Sequence, residues 1–129
     1  MNPLVETYND ITHYRTDIYC IDIDGTITEP HEGTPWTAVP RHDRIAKVNE
    51  LYDEGATIYL MTARGFIKSQ EHEGTIHEQQ GYADEHARER TEQQLEKWGV
   101  KYHALYFGKP RAVTYVDDRA MSDYEFFQD

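Results

Sequence analysis

Four short stretches hold the residue types and spacings that suit phosphoryl chemistry. In Asp22-Ile23-Asp24-Gly25-Thr26 two carboxylates lie two residues apart, and Gly25 lets the chain turn sharply after them. One carboxylate can attack phosphorus, while the other protonates the leaving oxygen and later takes a proton from water. Such covalent catalysis splits one hard step into two easier ones. Asp-Gly is also an ordinary turn signal, so the pair alone is equally a turn.

The other three stretches gain meaning beside the first. Thr62, in Leu60-Met61-Thr62-Ala63-Arg64, offers a hydroxyl to a phosphoryl oxygen; taken singly it reads as a strand-end threonine bonding its own turn. Lys109, in Phe107-Gly108-Lys109-Pro110, can steady a carboxylate and a transferring phosphoryl group, or simply sit on the surface. Asp117 and Asp118 add two further acids. Several carboxylates brought together repel one another, and a bound cation relieves that cost. Mg²⁺ is the expected cation because it takes hard oxygen ligands, and Mn²⁺ can replace it.

These residues need elements that bring them to one edge. Ile18 to Ile21 is an apolar run ending in Asp22, and Thr57 to Met61 is another ending in Thr62. Ala104 to Phe107 predicts a third strand, and Val113 to Val116 a fourth that ends in Asp117. Continuous apolar runs suit strands covered on both faces. Between them, Arg41 to Glu54 predicts a helix with Ile45, Val48, Leu51 and Tyr52 on its apolar face and Gly55 as its stop. Ala83 to Trp98 predicts a second helix, ended by Gly99. Alternating strands and helices imply an α/β fold with a parallel sheet, whose ligands bind beyond the carboxyl ends of the strands. Asp22, Thr62 and Asp117 are all expected at that edge.

The rest of the chain is less legible. Residues 1–16 read as a polar N-terminal arm, 25–40 as turn and loop, and 65–82 as a loop near the site with a short helical piece at most. No internal repeat or interdomain linker interrupts residues 1–129, so a single domain is expected.

With these motifs in place, the chain resembles the haloacid dehalogenase (HAD) superfamily of phosphatases. Its four signatures, Asp-x-Asp-Gly-Thr, a strand-ending Ser or Thr, a Lys and an acidic pair, stand here in order as Asp22/Asp24, Thr62, Lys109 and Asp117/Asp118. The resemblance covers about residues 17–127. It implies a Rossmann-like domain with Asp22 as nucleophile and Mg²⁺ ligand. Asp24 would be the acid/base and lend the metal its backbone carbonyl. Thr62 and Lys109 would hold phosphoryl oxygens. Asp117 would bind Mg²⁺ directly or through water, with Asp118 in support. The intervals from Asp22 to Thr62 and from Thr62 to Lys109 are too short for a cap of domain size, so a minimal, capless member with an open site is expected. Residues 21–28, 61–64, 106–110 and 115–120 look similar to capsule- and polysaccharide-biosynthesis phosphatases, which points to a sugar phosphate.

Composition narrows the partners. A net charge of −11 argues against broad nucleic-acid binding and against an anionic membrane surface. No apolar run reaches the roughly 20 residues of a spanning helix, and the N-terminus lacks a signal-peptide pattern, so a cytoplasmic protein is expected. Cys20 excludes an intrachain disulfide and reads as a buried thiol. Arg64 either reaches the substrate or pairs with the acidic scaffold. Arg88, Arg90 and Arg111 read as solvated charges, and His31, His42, His72 and His77 do not space as a zinc site. Trp36 suits a pocket rim or a core lid, and Trp98 the core. The expected function is hydrolysis of a small phosphomonoester through an aspartyl-phosphate intermediate. Removal of a terminal phosphate from a polynucleotide, or a non-catalytic scaffold on the same fold, are the alternatives. A homo-oligomer, with a neighbour covering the open site, is compatible with either enzyme.

Overall fold

The computed structural model describes residues 17–31, 33–65 and 74–129. The expected arm at 1–16 and the middle of the expected 65–82 loop therefore lie outside the described residues. Three parallel strands form the sheet in the order β1 (Ile18–Asp22), β2 (Thr57–Thr62) and β3 (Ala104–Phe107). Helix α1 (His42–Asp53) connects β1 to β2, and α2 (Ile76–Trp98) precedes β3. A short α3 (Asp123–Phe127) follows. This is the α/β, Rossmann-like architecture expected from the sequence.

The core explains why these runs become these elements. Ile21, Ile58, Leu60 and Leu105 from the strands pack with Ile45 and Val48 of α1 and Leu95 of α2. Ile45 and Val48, three apart on α1, and Ala83, Ala87, Thr91 and Leu95, four apart on α2, supply the buried stripes, and Gly99 takes the left-handed conformation that ends α2 at φ 72°. Burying each such side chain contributes about 1.5–3 kcal/mol.

Three expectations are corrected. Val113 to Val116 is not a strand: Val113 and Val116 are fully exposed, and neither β1 nor β3 gains a fourth partner among the described residues. A strand needs an edge to pair with, and β-branched composition alone does not provide one. Helix α2 starts at Ile76 rather than near Ala83, because Thr75 caps it. The Thr75 hydroxyl accepts from the Glu78 amide at 3.1 Å and meets the Glu78 carboxylate at 3.3 Å. Cys20 is exposed rather than buried, with its thiol 3.4 Å from the Met61 sulfur.

Between β1 and α1 the chain folds back on itself. Thr28 and Pro40 form an antiparallel bridge, tied by Glu29 N–H to Val39 O and Arg41 N–H to Ile27 O, both at 2.8 Å. This closed loop carries His31 and the short 3-10 turn Pro35–Thr37. Arg44, 1% exposed, anchors its base. The guanidinium donates to Thr26 O at 3.0 Å, to Asp123 at 2.7 Å, and to both oxygens of Asp129 at 2.7 and 2.9 Å.

Candidate active site

Asp22 is the last residue of β1, and the chain turns immediately beyond it. Thr26, Ile27 and Thr28 all direct their amides at Ile23 O, at 3.0–3.3 Å. Gly25 sits at φ 78°, a left-handed conformation that favours glycine. Its amide donates to the Thr28 hydroxyl at 3.0 Å, and that hydroxyl donates to Glu29 O at 3.0 Å. Thr28 is fully buried, and its part in fixing this turn was not singled out from sequence. The turn sets both aspartates at the mouth of one cavity of about 520 Å³, with His31, Arg64, Lys109 and Tyr115 also on its wall.

The two carboxylates meet different partners. Lys109 Nζ lies 3.3 Å from Asp22 Oδ1, and the Thr26 hydroxyl donates to Asp22 Oδ2 at 3.3 Å. The lysine is held in place from two sides. Its backbone N–H donates to Thr62 O at 3.2 Å, and its ammonium stands 4.3 Å from the centre of the Tyr115 ring. Asp24 instead receives Arg64 Nε on Oδ2 and Arg64 Nη2 on Oδ1, both at 2.9 Å, and His31 Nε2 lies 2.9 Å from Oδ1.

Their titration diverges accordingly. Burial pushes Asp22 above the ordinary carboxylate range, an effect that Lys109 offsets only in part. Burial acts on Asp24 the same way, but the Arg64 hydrogen bonds and charge, helped by His31, outweigh it and hold Asp24 below that range.

Arg64 therefore takes the scaffold role rather than the substrate role. It is buried, and Nη1 donates to Gln94 Oε1 at 2.5 Å and approaches the Thr91 hydroxyl at 3.4 Å. Every guanidinium nitrogen is thus committed within the protein. Thr62 ends β2 as expected, and its buried hydroxyl accepts the Arg64 amide at 3.0 Å. The cavity wall does not include it. The involvement of His31 had no sequence signal, because only the folded loop after β1 brings it back to Asp24.

Asp117 and Asp118 are exposed, and the charges acting on Asp22 are Lys109 and Asp24. Asp117 accepts the Arg119 amide at 2.8 Å, a local turn bond that lowers its pKa. Among the described residues, no three His, Cys, Asp or Glu side chains gather as cation ligands. The carboxylates expected to hold Mg²⁺ thus do not fit one ion in this arrangement. Lys109 and Arg64 supply the positive charge that Asp22 and Asp24 need here.

No family model and no curated protein matches the chain. A crystal structure of a target protein from Vibrio cholerae is similar, with a TM-score of 0.72 and 27% identity over 86% of this chain and 87% of that one. The similarity supports the α/β fold over nearly all of the chain. No helix among the described residues is long and apolar enough to cross a membrane.

Proposed function

We propose that the chain is a phosphatase of the haloacid dehalogenase type, acting on the phosphomonoester of a small metabolite through a phosphorylated Asp22. The observation that carries this reading is the pairing of Lys109 with Asp22 at 3.3 Å, beside Asp24 with its separate Arg64 partner. The two neighbouring carboxylates thus stand in different environments, one beside an ammonium and one in a guanidinium fork.

An Asp22 oxygen attacks phosphorus, and the bond to the ester oxygen breaks. Lys109 offsets the negative charge gathering between Asp22 and the phosphoryl group. The departing oxygen takes a proton from Asp24, which must first gain one from the arriving ester. In the second half, Asp24 as carboxylate removes a proton from water, and the resulting hydroxide displaces phosphate from Asp22. The depressed pKa of Asp24 keeps it ionised at the start of that second half. Arg64 and His31 orient Asp24 rather than touch the ester.

Mg²⁺ enters this proposal from the resemblance alone, and no step above is routed through it. A sugar phosphate is the substrate class favoured by the resemblance, and a cavity of about 520 Å³ has room for one. The test is release of inorganic phosphate from a panel of phosphorylated metabolites and a 5′-phosphorylated oligonucleotide, with Mg²⁺ and with chelator. Metal-dependent release from a small ester supports the reading. Release from the oligonucleotide alone, weakened steeply by salt, transfers it to the polynucleotide alternative. No release from any substrate, including an aryl phosphate, removes it.

A further inference from the structure

A second cavity, of about 280 Å³, lies on the other side of the Pro35–Thr37 turn and is independent of the phosphatase reading. Its wall holds Trp36 and Trp98, the only two tryptophans of the chain, with Arg90, Gln93, Gln94 and Lys97. Arg90, Gln93, Gln94 and Lys97 recur at helical spacing along α2 and form one face that ends at Trp98. Glu85, Glu89, Glu92 and Glu96 recur along a different line of the same helix. In a chain of net charge −11, this wall carries two cations and no carboxylate. The local field there opposes the overall charge.

The wall is also built rather than incidental. Arg90 stacks over the Trp36 ring with Cζ 4.1 Å from its centre, and Arg64 stands 5.5 Å from the same ring. Gln94 fixes the partition between the cavities, accepting from Arg64 Nη1 at 2.5 Å and donating to Pro35 O at 3.1 Å. Pro35 lines the first cavity and Trp36 the second, so a ligand here sits next to the candidate active site.

We propose that this cavity binds a small organic acid whose carboxylate is carried on a ring. The two indoles offer apolar surface beside a ligand ring, and the guanidinium stacked on Trp36, with the Lys97 ammonium on the same wall, accepts the carboxylate. Gln93 adds an amide for a ring hydroxyl. The shared chemistry is met by a pyranose acid and by an aromatic acid.

Because both tryptophans line the cavity, their two indole N–H resonances in ¹⁵N-labelled protein report on it directly. Glucuronate and benzoate are the probes, with glucose and acetate as the ring-only and acid-only comparators at matched ionic strength. Saturable shifts of an indole resonance by either ring acid, at least tenfold tighter than by glucose or acetate, are expected. The responding acid identifies the ring type. In Arg90→Gln/Lys97→Gln that preference should fall about tenfold while the remaining spectrum stays unchanged. Absence of saturable shifts from both acids, equal response to a comparator, or an undiminished preference in the double variant overturns the proposal. Each outcome is the same whether or not the chain releases phosphate.

Discussion

Arg64 grips both oxygens of Asp24, with Nε on Oδ2 and Nη2 on Oδ1 at 2.9 Å each. The planar fork of a guanidinium matches a carboxylate in this way and a lysine cannot. Arg64→Met should therefore leave Asp24 half-buried and without its main partner. Loss of one member of a buried pair costs roughly 3–5 kcal/mol. Asp24 is partly exposed, so about 2 kcal/mol is expected by urea unfolding, with Arg64→Lys recovering little of it.

Titration gives the two aspartates opposite signatures in stability. The folded-state pKa of Asp24 is depressed, so its stabilising contribution is present above the ordinary carboxylate pKa of about 3.9 and is lost as pH falls through the depressed value. Asp24→Asn should accordingly destabilise the protein at pH 7, with the difference fading in acid. The folded-state pKa of Asp22 is raised, so its contribution is present below about 3.9 and lost as pH rises through the raised value. Asp22→Asn should match or exceed the native stability at pH 7. Urea unfolding of both variants at pH 7 and pH 3.5, with chelator present, checks the signs.

Lys109→Met should lower phosphate release about 100-fold, the scale on which removal of one charge-stabilising donor acts. The fold should be retained, because the backbone N–H that ties this residue to β2 is unchanged in the variant. Equal rates for Lys109→Met and the native protein would separate this lysine from the chemistry.

Arg44→Met should lower the urea midpoint, since it takes the guanidinium from Asp123 and leaves Asp129 with Arg41 alone. The guanidinium also holds Thr26 O, so the turn after Asp22 should loosen. Faster amide exchange at Thr26 to Thr28 would register this.

The sequence made β1, β2, β3 and α1 legible because each is an apolar run or stripe bounded by glycine or polar residues. Lys109 was legible as a partner for Asp22 through motif order. The early start of α2 was missed although Thr75 and Glu78 are spaced as a capping box. Val113 to Val116 misled in the other direction: local β propensity marked a strand, yet pairing is a tertiary event and these residues stay solvated. Pairing of Arg64 with the acidic scaffold was one of two readings, but the choice of Asp24 and the arrival of His31 beside it were hidden for a similar reason. Three loop or strand-end positions distant in sequence meet only after the sheet forms, and no local pattern encodes that meeting. Thr62 had two readings from sequence, and the bond from the Arg64 amide favours the local one.

Phosphorylation of Asp22 is the central claim. Its most direct measurement is phosphate release by the native protein and by Asp22→Asn, with Mg²⁺, on the best substrate of the panel, with folding checked by circular dichroism. Release by the native protein and none above background by a folded Asp22→Asn is expected. Retained turnover in that variant would contradict Asp22 as the nucleophile.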